Sequence, residues 1–256
     1  MFSMFYLIGI GLKPGHLTLE AKEAIGKCNR VFLDTYTSKY SEGSVKELRA
    51  LVGKEIIELD RKAVEEGFHL LLSDAKKTSE NIALLVFGNP LSATTHVQLL
   101  LDAKRLAVQA KVIAGISIYN FLGATGLDQY RFGRTCTIVA PQENYAPESF
   151  YDLIETNFEN NLHSLCLLDF DAEHKRMMTV SEALAILQKI EKKKGKGILQ
   201  KATLIALLAL GSSSETVKVA DLEKLLRSSY ALFPQSLVIA APLTEKEKEA
   251  LGALHG

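Results

Sequence analysis

The sequence predicts an α/β protein of two modest domains, and three observations point there. Along the first half, apolar runs of strand length alternate with segments of helical periodicity, the signature of a parallel sheet with right-handed crossovers. Near residue 115 the pattern changes. The chain's 256 residues exceed the roughly 150 of a typical domain. With 47% hydrophobic and 23% charged residues, it has the composition of a globular protein able to bury a core.

The first strand is Met4 to Ile10, an apolar run closed by Gly9 and Gly11. A helix follows, capped by Thr18, with Leu17, Ala21, Ala24, Ile25 and Cys28 on one face. Val31 to Leu33 is the next strand, and Ser44 with Glu47 has the spacing of a capping box. Strands over Ile56 to Leu59, Ile82 to Phe87 and Val112 to Ala114 alternate with helices over Ala63 to Lys77 and Thr94 to Ala107. Beyond a helical stretch from Tyr119 to Gly126, longer strands are expected at Thr135 to Ala140, His163 to Phe170, Ala202 to Leu210 and Leu237 to Ala240. Thr179 and Thr244 each start a helix with the capping-box spacing. The domains are therefore placed at residues 1–115 and 116–256.

Composition excludes several functions. Thirty basic residues balance thirty acidic ones, so the positive field of a sequence-independent nucleic-acid binder is missing. Mean hydropathy is +0.09, and the most apolar run, Ala202 to Leu210, is about half the ~20 residues of a membrane span. No basic residue precedes the opening apolar run, which reads as a strand and not a leader. Cys28, Cys136 and Cys166 are far apart in apolar contexts, as expected of reduced thiols in a cytoplasmic protein.

Three strand ends of the first half carry glycine: Gly9-Ile10-Gly11, Gly88-Asn89-Pro90 and Gly115-Ile116-Ser117. Together they outline a small-molecule site at the carboxyl edge of the sheet, where a missing Cβ lets a ligand approach the backbone. The first turn runs on to Gly15 as G-x-G-x-x-x-G, one residue too long for a dinucleotide fingerprint, and no P-loop motif occurs. Asp169, Asp171, Glu173 and His174 form the best metal-ligating cluster, read here as an ordinary acidic loop, so no metal site is expected. His96, near a helix start, is given a structural role. Lys192, Lys193, Lys194 and Lys196 read as a solvated helix end that complements the helix dipole. No G-x-S-x-G elbow and no paired carboxylates appear, so no catalytic residue is assigned.

The segments Phe5 to Leu12, Thr35-Tyr36-Thr37-Ser38, Gly88 to His96, Gly115 to Tyr119 and Arg131 to Thr135 resemble the diphthine synthase family, methyltransferases of the tetrapyrrole-methylase-like group. The resemblance runs nearly end to end. It implies two α/β domains of the tetrapyrrole methylase type, with a parallel sheet in the N-terminal domain and a mixed sheet in the C-terminal one. It also implies a cytoplasmic homodimer that binds S-adenosylmethionine in the interdomain cleft and releases S-adenosylhomocysteine. The implied substrate is the 3-amino-3-carboxypropyl-histidine of translation elongation factor 2, methylated on its amino group to diphthine in diphthamide biosynthesis. Neither a membrane nor a nucleic acid is implied as a direct partner. Cofactor contacts carried over from the family fall on Leu12, Asn89, Ser92, Ser117, Ile118, Leu168, Ala209 and Gln235. This chain departs from the family pattern at Asn89, usually aspartate, and at Gln235 and Thr244, where histidines are expected. Asn89 keeps the carbonyl but not the charge that attracts a sulfonium.

Repeated methylation of an amine ends in a fixed cation, which an aromatic face can hold. Tyr36 and Tyr119 are the candidates, each equally readable as a packing residue. Two rival functions remain at this stage, a tetrapyrrole methylase on the same fold and a nucleotide-binding module without catalysis.

Overall fold

The computed structural model describes residues 3–143 and 145–255. The chain divides into two compact units, Met1–Asn120 and Phe121–Gly256.

In the first unit the expected alternation is present: β1 (Met4–Gly9), α1 (Leu19–Gly26), β2 (Arg30–Asp34), α2 (Val45–Val52), β3 (Ile57–Leu59), α3 (Phe68–Thr78), β4 (Ile82–Val86), α4 (Val97–Arg105) and β5 (Gln109–Ile113). The strands form one five-stranded sheet in the order β3-β2-β4-β1-β5, every neighbouring pair parallel. Side chains alternate across the sheet. Ile8, Leu33, Ala83 and Leu85 pack with Ala21, Ile25 and Leu48 on one face. Phe5, Leu7, Phe32 and Leu84 pack with Phe68, Leu72, Leu99 and Ala103 on the other. Burial of both faces explains why β4 reads as an unbroken apolar run.

Helix ends follow their chemistry. Thr18 Oγ1 accepts from the Ala21 N–H at 3.1 Å. Ser44 Oγ accepts from the Glu47 N–H at 3.2 Å but donates to Glu47 Oε1, so this box closes through the hydroxyl. The expected helix over Ala63 to Lys77 opens instead with a π-helical turn, Ala63–Gly67, before α3 begins.

The second unit contains β6 (Cys136–Ile138), α5 (Ser149–Glu159), β7 (Ser164–Leu168), the small hairpin β8 (Phe170–Asp171) and β9 (Arg176–Met177), α6 (Val180–Lys194), α7 (Ile198–Lys201), β10 (Thr203–Leu208), β11 (Thr216–Ala220), α8 (Leu222–Arg227), β12 (Gln235–Ala240) and α9 (Glu245–His255). Its main sheet has the order β11-β10-β12-β7-β6 and is mixed, since only β6 and β7 run parallel. The strands are no longer than those of the first unit. The expected strand at His163 to Phe170 breaks at Asp169, whose N–H donates to Ile138 O while its own carbonyl accepts from Met178.

Thr179 completes a full capping box with Glu182, a cap worth about 1 kcal/mol. The lysines at the end of α6 face the acidic side of α5: Lys193 pairs with Glu148 at 2.6 Å, Lys196 with Glu155 at 2.5 Å, and Lys194 with Asp152.

One buried ionic knot ties the end of this unit together. Glu247 accepts from Thr244 N–H at 2.8 Å, from Asp128 N–H at 3.1 Å, from His163 Nε2 at 2.9 Å and from Arg131. Ala241 N–H donates to His163 Nδ1 at 3.1 Å, which fixes a neutral imidazole that donates from Nε2. Burial holds the His163 pKa below its ordinary value despite the neighbouring carboxylate. Burial by itself would raise Glu247, yet the hydrogen bonds from Thr244, His163 and Asp128 overcome it and bring the carboxyl down to about 2.

Candidate functional site

The carboxyl ends of β4, β1 and β5 are joined by main-chain contacts. Ile10 N–H donates to Val86 O at 2.9 Å, and Gly11 and Gly88 exchange hydrogen bonds at 3.2 and 2.9 Å. A Cβ on Gly9 would stand 2.6 Å from both the Gly115 nitrogen and the Gly88 carbonyl oxygen, and one on Gly115 would strike Gly88 and Gly9 in turn. Glycine is therefore required at Gly9 and Gly115 so that the strand ends can close on each other. Gly88 is needed for its φ of +74°. Gly15 has no atom within 4 Å of a built Cβ, so the last glycine of the G-x-G-x-x-x-G run has no such task.

Leu12, Asn89, Ser92, Ser117 and Ile118 all lie on the loops leaving this edge, brought together by the adjacency of β4, β1 and β5. Leu12 is fixed through its carbonyl, which accepts from the Ser41 N–H and hydroxyl, each at 2.8 Å. Asn89 Oδ1 accepts from Leu91 N–H at 3.2 Å and its carbonyl accepts from Ser92 N–H at 3.2 Å, folding the loop into a turn. Ser117 N–H donates to Asn120 Oδ1 at 2.8 Å and starts the 3₁₀ run Ile118–Thr125. Ala93, in the same loop as Ser92, has a φ of +55°, a conformation that costs a non-glycine residue about 1–3 kcal/mol and gathers at functional sites. Thr94 Oγ1 is buried in this loop without a hydrogen-bond partner.

In the second unit Leu168 ends β7, Ala209 follows β10, and Gln235 starts β12, so all three share one end of the mixed sheet. Ala209 has a φ of +46°. The Gln235 side chain is buried and fully used: Oε1 accepts from Val180 N–H at 2.9 Å, and Nε2 donates to Tyr230 O at 3.0 Å and Leu232 O at 3.2 Å. The side chain therefore has no hydrogen-bonding group left over for a ligand. A cavity of about 490 Å³ lined by Arg134, Cys136, Phe150 and Asn157 lies elsewhere in this unit, and none of the candidate residues borders it.

Sequence reasoning missed the residue beneath the Tyr36 loop. Asp34, at the end of β2, is completely buried. Its Oδ1 accepts from the N–H groups of Tyr36 (2.8 Å) and Thr37 (3.2 Å), and its Oδ2 from the Thr37 hydroxyl at 2.8 Å. His96 Nε2 lies 3.1 Å from Asp34 Oδ2 without forming a hydrogen bond, while Nδ1 is 3.2 Å from the Pro90 carbonyl. His96 thus ties the loop carrying Asn89 and Ser92 to the loop carrying Tyr36. The signal available in sequence was an Asp followed at two and three residues by candidate donors; nothing announced its partner at position 96. The acidic group Asp169 to His174 holds itself together, with His174 N–H donating to Asp171 Oδ1 at 3.0 Å and Asp169 Oδ2 accepting from Ala140 N–H at 3.0 Å. Among the described residues no three His, Cys, Asp or Glu converge as metal ligands.

The amino-acid sequence matches the family model of the Tetrapyrrole (Corrin/Porphyrin) Methylases over residues 4–226. The chain belongs to this family of methyltransferases. Within it, the chain is similar to "Diphthine synthase" of Staphylothermus marinus, with 38% identity covering 93% of this chain and 88% of that protein. It is also 38% identical to "Diphthine methyl ester synthase" of Saccharomyces cerevisiae, covering 87% of this chain and 79% of that protein. A crystal structure of diphthine synthase superimposes with a TM-score of 0.87 at 29% identity, covering 99% and 96% of the two chains. No helix among the described residues is long and apolar enough to cross a membrane.

Proposed function

We propose that the chain is an S-adenosylmethionine-dependent methyltransferase that methylates the 3-amino-3-carboxypropyl-histidine of translation elongation factor 2 in diphthamide biosynthesis. The observation that carries this reading is the convergence of Leu12, Asn89, Ser92, Ser117 and Ile118 on one sheet edge. That edge suits such a cofactor. It offers constrained main-chain turns, the Asn89 carboxamide, the Ser92 and Ser117 hydroxyls and the unpartnered Thr94 Oγ1. Leu168, Ala209 and Gln235, which share one end of the second unit's mixed sheet, are proposed as cofactor contacts of that unit.

When bound, the cofactor supplies a methyl group on a sulfonium to a neutral amine. The chain's residues need to bind, orient and keep water away. A free α-amino group has a pKa of about 7.7–8.0, so a useful fraction is already neutral near pH 7 without a protein base. Holding two reactants in line contributes about 7–11 kcal/mol. Here the interlocked strand ends supply the rigidity that such alignment requires.

The test is mass spectrometry of the elongation factor's modified histidine after incubation with this protein and S-adenosylmethionine. One methyl increment per transfer, stable to mild alkali, marks amino methylation; a further increment lost in alkali marks an ester, the product class named for the yeast relative. An unmodified factor together with porphyrin methylation, or a preference for ATP over S-adenosylhomocysteine in titration, overturns the reading. We further propose a cytoplasmic homodimer, checked by sedimentation of the purified protein.

A further inference from the structure

The cofactor contacts proposed for the first unit use the edge formed by β4, β1 and β5, and leave the β3-β2 end of the same sheet edge unassigned. That end carries both signs of charge around one aromatic ring. The Arg61 guanidinium carbon stands 5.8 Å from the centre of the Tyr36 ring. Tyr36 donates its hydroxyl to Glu65 Oε1 at 3.3 Å, and Arg61 Nε donates to Glu65 Oε2 at 3.0 Å. Burial, then the charges of Asp34 and Glu65, raise the Tyr36 pKa, so the hydroxyl stays protonated and the ring keeps a neutral face.

Three features separate this cluster from an ordinary surface pair. Glu65 sits in the π-helical turn Ala63–Gly67, a conformation found in well under 1% of residues and common at functional sites. The Tyr36 loop rests on a fully buried carboxylate that takes its donors from the loop itself, so the loop's main chain is held in one place. His96 then fastens that loop to the one bearing Asn89 and Ser92, with its ring perpendicular to Tyr36 at a centroid distance of 6.5 Å. The Arg61 side chain is 73% exposed, and an exposed i,i+4 pair is weak enough for one carboxylate to replace another.

We propose that Tyr36 and Arg61 form the acceptor half of the site, recognising a zwitterionic amino-acid end. Arg61 exchanges Glu65 for the substrate carboxylate, and the Tyr36 face that Arg61 now covers receives the amino group as methylation turns it into a fixed cation. Arg61 is the planar donor suited to a carboxylate, and the ring already shows that it accommodates a cation. This inference rests on the function proposed above.

The experiment measures methyl transfer to elongation factor 2 bearing the 3-amino-3-carboxypropyl-histidine, beside calorimetry with S-adenosylhomocysteine. Arg61→Gln is expected to raise KM for the factor about tenfold and to leave the affinity for S-adenosylhomocysteine unchanged. Tyr36→Leu is expected to stall the reaction at lower methylation states, and Tyr36→Phe to restore the wild-type product. An unaltered KM in Arg61→Gln, or loss of S-adenosylhomocysteine binding in both Arg61→Gln and Tyr36→Leu, overturns the acceptor site alone. A wild-type protein that binds S-adenosylhomocysteine yet leaves the factor unmethylated overturns the functional reading, and the acceptor site with it.

Discussion

Each unit buries one histidine against one carboxylate, and the two pairs are built differently. In the second unit Glu247 receives main-chain, hydroxyl, imidazole and guanidinium donors, and His163 uses both ring nitrogens in good geometry. In the first, His96 reaches Asp34 without a proper hydrogen bond, and the donors to that carboxylate are the N–H groups of Tyr36 and Thr37 and the Thr37 hydroxyl. The saturated pair closes the fold, whereas the incompletely satisfied one lies beside the loops that carry candidate ligand contacts. Buried polar groups left short of partners are rare in folded proteins, and a functional role is one of the reasons they persist.

The largest effect should come from breaking the saturated pair. Glu247→Ala takes from the Arg131 guanidinium its only carboxylate partner among the described residues, leaving it the Asn161 and Pro242 carbonyls, and strips several N–H groups of their acceptor; it is expected to cost about 3–5 kcal/mol, read as a lower urea midpoint for the second unit. If His96→Ala destabilises the protein as much, the contrast between the two pairs fails. Next comes the interlocked edge. Gly115→Ala drives a Cβ into Gly88 and Gly9 and should lose about 3 kcal/mol of stability together with S-adenosylhomocysteine binding. Gly15→Ala, with open space around it, should change neither.

Gln235→Ala removes a side chain that satisfies one N–H and two carbonyls, for an expected loss of about 1–3 kcal/mol measured by denaturation. The pH dependence of the second unit sharpens the same comparison. His163 is held neutral by burial, so the unfolded chain takes up a proton below its ordinary 6.5 before the folded one does. Glu247 behaves alike, with 4.5 as its ordinary value and about 2 in the fold. In both cases the unfolded state binds more protons, so stability is complete above about 6.5 and falls as pH drops through 4.5 toward 2. Glu247→Gln should flatten the lower part of that curve. The smallest effect is expected from Asn89→Asp, which restores a negative charge near a sulfonium in a half-exposed loop; its gain, below about 1 kcal/mol, should favour S-adenosylmethionine over its neutral-sulfur product.

Much of the first unit was legible because its information is local. Apolar runs at β1 and β4, Thr18 and Ser44 at helix starts, and glycines at strand ends each act over a few residues. The second unit hid more. β11 and α8 follow a Gly-Ser-Ser-Ser stretch and expose much of their surface, so neither gives a sharp apolar period. The ends of the helix over Ala63 to Lys77 were foreseen, but its π-helical opening has no compositional mark. Leu12, Asn89, Ser92, Ser117 and Ile118 came from resemblance, and the sheet order explains their meeting. Asp34 with His96, and Glu247 with Arg131 and His163, are joined only through the fold, and no reading of neighbours in the chain could pair them.

Because Gly9, Gly88 and Gly115 meet main chain to main chain, the width of that rim is a fixed gauge set by strand spacing, with no rotamer to swing aside. Under the proposed function, a donor analogue enlarged toward these peptides could not be accommodated by trimming a side chain on Gly9, Gly88 or Gly115, since they carry none. On that same proposal, bump-and-hole engineering of an orthogonal alkyl donor would carve its hole at the proposed contacts Leu12, Ser92 or Ile118, where side chains remain to be exchanged.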